Sequence, residues 1–241
     1  MKKNLIFFAM LLLTSVVLSG CLFPDEERAE NQIPDEAQLI AVQNAVDQYK
    51  ADTGVLPIKT KDQDTDIFIK YQIDFSKLVP KYLANVPGNS YEKGGIFQYI
   101  IWDPENNPTV KLVDLRTAET IRELNLRLLS KKYMMYKKQI ADYVYSIDYK
   151  KLGYQNELTV PSPYTNNHLP LVASSEGKVY VDYSIDLAQF LKEHDVKPKP
   201  GEDIRMLLVE AYPVVPAYSL PYTVNENNEP VFMYDPTKNN E

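Results

Sequence analysis

The chain has 241 residues, 44% of them apolar and 24% charged, with 26 Lys and Arg against 33 Asp and Glu and a net charge of −7. Nothing gathers the cations into a basic stripe that would neutralise phosphates, which excludes nucleic acid as a partner. With only one cysteine, Cys21, no internal disulfide can form, so the fold must rest on its core.

The first element is an export signal. Lys2-Lys3 precede an apolar run from Leu5 to Val17, and the tetrapeptide Leu18-Ser19-Gly20-Cys21 closes it. A positive start, an apolar centre and small residues at the cut make a secretory signal. A cysteine directly after the small residues makes it a lipoprotein signal. Cys21 is the expected lipidation site, carrying thioether-linked diacylglycerol and an amide-linked chain such as palmitate. The bland alternative is a secreted protein with a cysteine near its cut. The run is shorter than the roughly 20 residues a spanning helix needs. Removing residues 1–20 takes away Lys2 and Lys3, and −7 becomes −9. Residues 21–33 are acidic without apolar periodicity and read as a tether.

A first helix-plus-sheet module is expected at 34–115. Leu39, Val42, Val46 and Tyr49 share one helical face, Pro34 suits the first turn and Gly54 the stop. Ile67–Tyr71 reads as a strand, and Asp74 as the cap of a short helix over Phe75–Leu83. Ile96–Trp102 is a strand, Glu105-Asn106-Asn107-Pro108 a turn, and Thr109–Val113 the hairpin partner. The Gly94-Gly95 pair reads as a turn. Residues 116–153 form a connecting segment. Ile121, Leu124 and Leu128, then Tyr136, Ile140, Tyr143 and Ile147, fall at helical intervals, as one long helix or as two broken at Ser130. A second module fills 154–241.

The second module reads as a copy of the first. Residues 67–75 match 179–187, Glu105-Asn106-Asn107 recurs as Glu226-Asn227-Asn228, and a helix stopping at Gly54 or Gly153 precedes each. Insertions at Val160–Pro170 and Tyr212–Tyr222 set the second unit apart. The expected fold class is α+β, two tandem modules of helices on antiparallel sheets.

Residues 41–57, with Tyr49, Asp52, Gly54 and Pro57, resemble the end of the long helix in type II secretion pseudopilins. That resemblance implies a helix followed by a loop and a small antiparallel sheet. Pilins polymerise through an uncut apolar helix, whereas the apolar segment here ends in a lipid-attachment motif, so a pilus subunit is not implied. The lipid motif, the Tyr-x-x-Asp-x-Gly stretch and Ile73–Pro80 together resemble the YphF-type lipoproteins of Bacillus and its relatives. This wider resemblance implies no particular activity and no site residues.

Asp62, Asp64 and Asp66 alternate as calcium-loop oxygens do. Ile67 and Ile73 stand where an EF-hand needs glycine and glutamate, so the triplet is a weak metal candidate against a solvated acidic loop. His168 and His194 lack ligand spacing. No phosphate-cradling glycine loop or nucleophile elbow occurs, and no cofactor is expected. Tyr212, Tyr218 and Tyr222 lie on a proline-stiffened segment, expected to be an exposed partner-contact surface. The bland reading packs them against the second module. The functional expectation is a non-catalytic binding or scaffold protein, lipid-anchored on the extracytoplasmic face, with the membrane and an unidentified protein as partners. A solute-binding lipoprotein is the alternative, and a cell-wall hydrolase a weaker one.

Overall fold

The computed structural model describes residues 34–237 apart from 60, 63, 64 and 130–134. The signal, Cys21 and the tether lie outside the described residues. Helix α1 spans Glu36–Thr53. Asp35 caps it by accepting from the Gln38 N–H at 3.1 Å, so Pro34 stands one residue before the cap and not in the first turn. Gly54 ends it at φ 76°, a left-handed conformation that glycine adopts without steric cost. Val42, Ala45 and Val46 are buried on one face. They pack on a hairpin of β1, Phe97–Trp102, and β2, Thr109–Asp114, in register from Phe97↔Asp114 to Trp102↔Thr109. The Gln43 side chain closes the start of β2, accepting from the Val110 N–H at 2.7 Å and donating to the Pro108 carbonyl at 3.0 Å.

Ile67–Tyr71 is a turn, not the expected strand. The Asp66 side chain accepts from the Phe68 N–H at 2.9 Å, and its carbonyl accepts from the Ile69 N–H, also at 2.9 Å. This local bonding outcompetes the β-preference of Ile67, Phe68 and Ile69. Helix α2 is one turn, Phe75–Leu78, capped by Asp74 as expected but shorter than Phe75–Leu83. Pro80 shortens it, because the residue before a proline is driven to extended backbone and Val79 sits at ψ 135°. Gly95 is required by contact, since a Cβ there would lie 2.2 Å from the Asn89 backbone.

The connecting segment is half helix and half sheet. Helix α3 spans Leu115–Leu129 and buries Ile121, Leu124 and Leu128; Asp114 caps it through the Arg116 N–H at 3.0 Å. A hairpin then replaces the expected helix up to Leu152. Its strands are β3, Tyr136–Ala141, and β4, Val144–Ile147, joined through Tyr143 at φ 59°. Gly153 follows a turn, not a helix. Strands β5, Thr159–Pro161, β6, His168–Ser174, and β7, Val179–Val181, complete a five-stranded antiparallel sheet of order β3-β4-β6-β5, with β7 on β6. The supposed insertion at Val160–Pro170 therefore supplies strand. Helices α4, Ser184–Glu193, and α5, Arg205–Ala211, precede the hairpin of β8, Tyr222–Val224, and β9, Pro230–Phe232. The chain is α+β with antiparallel sheets. No described helix is long and apolar enough to cross a membrane.

The duplication is not confirmed. Glu105-Asn106-Asn107 and Glu226-Asn227-Asn228 both turn hairpins, but 67–71 is a turn where 179–181 is a strand. Asp74 caps a helix from outside. Asp186 sits inside α4, buried, accepting from the Ser162 and Thr165 hydroxyls at 2.8 Å each. The N-cap of α4 is Tyr183, which makes no side-chain cap bond, and Asp182 one residue before it accepts from the Ser184 N–H at 2.9 Å.

Residues 212–222 join the two halves as a strap. Leu112 N–H donates to Pro213 O, and Val215 N–H donates to Leu112 O, both at 2.9 Å. Further on, Val181 N–H donates to Tyr218 O at 2.8 Å. Val215 and Ala217 are buried with Phe68, Ile100 and Val113 from the first half and Val209 from the second.

Candidate binding clefts

The expected contact surface is largely interior. Tyr222 is 0% exposed, and its hydroxyl donates to Asp182 at 2.8 Å while accepting from the Tyr183 N–H at 3.1 Å. Burial holds its phenol well above the usual tyrosine range. Tyr222 is thus a core residue and cannot touch a partner, because it is buried in the core of the second half, at the end of the strap that fills the seam between the halves. Tyr218 is half-buried at φ 57° and packs into the same seam. Tyr212 is half-buried, with its ring 4.9 Å from that of Tyr164 and 6.1 Å from that of Phe190.

The aspartate triplet separates. Asp62 is exposed, and Asp64 lies outside the described residues. Asp66 is turned inward to cap the Phe68 turn near Arg205, and its burial pushes the carboxyl up despite the Phe68 N–H and the Arg205 charge. Among the described residues no group of three His, Cys, Asp or Glu could hold a metal ion.

Two surface clefts are present instead. The Asp66 turn buries Phe68 completely and throws Ile67 outward, 52% exposed. Phe68 stacks on Trp102 with centroids 5.4 Å apart and planes 22° from parallel. Asp103, at φ 46°, reverses the chain directly after Trp102 and accepts from the Asn106 amide at 2.9 Å and the Asn107 N–H at 3.2 Å. The Tyr71 carbonyl accepts from the Ile101 N–H at 2.8 Å, tying the turn to β1. Between turn and strand end lies a cleft of about 440 Å³, lined by Thr65, Ile67, Lys70, Tyr71, Trp102, Asp103, Pro104 and Glu105.

The second cleft, about 640 Å³ and more open, separates α4 from the β8–β9 turn. Ser184, Ile185, Ala188, Leu191, Lys192 and Asp195 face Asn227, Asn228, Glu229 and Pro230. Asn225 shapes the turn, accepting from Asn227 N–H at 2.9 Å and Glu229 N–H at 3.0 Å. Asn228 ties it to the segment after α4 by donating to Val196 O at 3.0 Å.

The family model for the YphF family N-terminal domain matches residues 35–114, from the cap of α1 to the last residue of β2. The match makes residues 35–114 similar to a YphF family N-terminal domain and covers about a third of the chain. No curated protein and no solved structure matches the chain. The aromatic cleft lies entirely within the matched residues, and the open cleft lies outside them. Sequence reasoning missed both clefts. The one available signal was Trp102, the sole tryptophan, standing directly before the Asp103–Pro108 turn.

Proposed function

We propose that the chain is a lipid-anchored, extracytoplasmic binding protein without catalysis, held at the membrane through Cys21 and acting as a scaffold or capture component. The observation that carries this reading is the ordered succession of Lys2-Lys3, the apolar run and Leu18-Ser19-Gly20-Cys21. The similarity to the YphF N-terminal domain supports the finer view that the whole chain is a YphF-type lipoprotein like those of Bacillus. The pseudopilin resemblance at 41–57 extends only to the helix-loop-sheet plan. Replacing Cys21→Ser tests the anchor: the variant leaves the detergent phase on phase partitioning, or keeps an uncut signal. A variant as membrane-bound and as processed as the parent refutes the reading.

The open cleft against α4 favours a second reading, a solute-binding lipoprotein, because its volume is that of a small-molecule site. A ligand-dependent rise in melting temperature supports it. Capture of a protein by crosslinking at the membrane supports the scaffold.

A further inference from the structure

We propose that the Trp102 cleft is a carbohydrate subsite, taking a neutral pyranose unit of a glycan chain. The cleft is lined by two aromatic residues, Trp102 and Tyr71, with the Lys70 ammonium 5.7 Å from the centre of the Tyr71 ring. Trp102 is fixed by its stack on Phe68, and the Arg205 guanidinium lies 5.1 Å from the centre of the Phe68 ring. A platform held this way loses little side-chain freedom when a ligand arrives. A pyranose presents an apolar C–H face to such a ring and a hydroxyl edge to its surroundings, matching an apolar floor with a few placed polar groups. The rim carries both signs: Lys70 donates, Asp103 and Glu105 accept, and the Thr65 hydroxyl does either. Hydroxyls both donate and accept, so a mixed rim satisfies them. Lys70 disfavours a bare cation, and the two carboxylates disfavour an anion. At about 440 Å³ the cleft falls in the small-ligand range of roughly 300–1,000 Å³. Because it is open to the surface, it suits one unit of a longer chain better than an engulfed monosaccharide. The inference deepens the binding reading by naming a ligand class. It depends on the anchor only for the compartment in which glycans are met.

Trp102 is the only tryptophan, so its emission reports on the cleft directly. The full chain in detergent is titrated with N-acetylglucosamine oligomers, with cellohexaose, with the corresponding monosaccharides, and with a lysine decapeptide. A saturating change in emission with one oligosaccharide series, with Kd on the order of 1 mM or tighter, is the expected result. Glu105→Gln and Lys70→Met, both rim changes, each weaken it by about tenfold, the effect of losing a charged hydrogen bond. Lys137→Met, at an exposed ion pair with Glu157 and in the lining of neither cleft, leaves it unchanged. No saccharide response up to about 20 mM overturns the proposal. So does a response to the lysine peptide alone, or a saccharide response untouched by both rim variants. Phase partitioning of the same samples reports the anchor separately, so failure of one reading is not mistaken for failure of the other.

Discussion

Leu112 and Val214 form a parallel bridge, with Leu112 bonded on either side to Pro213 and Val215 at 2.9 Å. The outer edge of the β1–β2 hairpin is thus completed by backbone from the far end of the chain. A fragment of residues 34–114 would leave that edge unpaired and expose Phe68, Ile100 and Val113, which are at most 1% exposed in the whole chain. The fragment is expected to self-associate and to melt without a sharp transition, by size-exclusion chromatography and circular dichroism. A monomeric fragment melting sharply at the full-chain temperature would contradict this.

Lys111 strengthens the same seam. Its ammonium donates to Val209 O at 2.6 Å and Tyr212 O at 2.8 Å. Lys111→Met keeps much of the stem but leaves two partly buried carbonyls without this donor. The expected cost is about 1–3 kcal/mol in urea unfolding. An unchanged midpoint would mean that water replaces the ammonium at no loss.

Asp186 makes stability depend on pH in an uncommon direction. Burial pushes its carboxyl up, outweighing the two hydroxyls that favour the charge. The folded state therefore holds the proton more tightly than the unfolded chain. Its contribution is present below the unfolded carboxylate pKa of about 3.9 and is lost as pH rises through the higher folded value. Asp66 acts with the same sign. Asp186→Asn should lose less stability than the parent between pH 4 and 7, read from urea midpoints at the two pH values. Equal losses would show that Asp186 does not set the slope.

Tyr222 separates core from surface. Tyr222→Ala empties a fully buried site and should cost about 3–5 kcal/mol. Tyr222→Phe removes only the hydroxyl between Asp182 and the Tyr183 N–H and should cost about 1–2 kcal/mol. Thermal melts of both variants decide the order. A Tyr222→Ala protein melting with the parent would return the residue to the surface.

What could be read from the sequence was local. The cap Asp74, the stop at Gly54, and the hairpin turned by Glu105–Pro108 are each specified within a few residues, whereas Pro34 drew the start of α1 one residue too early and hid the Asp35 cap. Ile67–Tyr71 misleads because its β-branched wording competes with a side-chain bond from Asp66, one residue upstream. Tyr136–Ile147 misleads because its apolar spacing satisfies a helix while β4 is stabilised by β6, a partner distant in sequence. The strap looked like a surface loop for the same reason: its prolines exclude a ladder's interior, yet Leu112 supplies single bonds on either side of Val214. The aromatic cleft needed the Phe68–Trp102 stack, which no periodicity announces.

The Leu112–Val214 bridge also fixes an order in time. The domain that leads the chain during synthesis is the one completed last. At about 5–20 residues per second, roughly five to twenty seconds separate the appearance of β2 from that of the strap. Through that interval the leading hairpin presents a raw edge and three large apolar side chains to its surroundings. A chain of this design has reason to be shielded while it is being made, and any factor that guards its unfinished first half must let go when Pro213 to Val215 arrive.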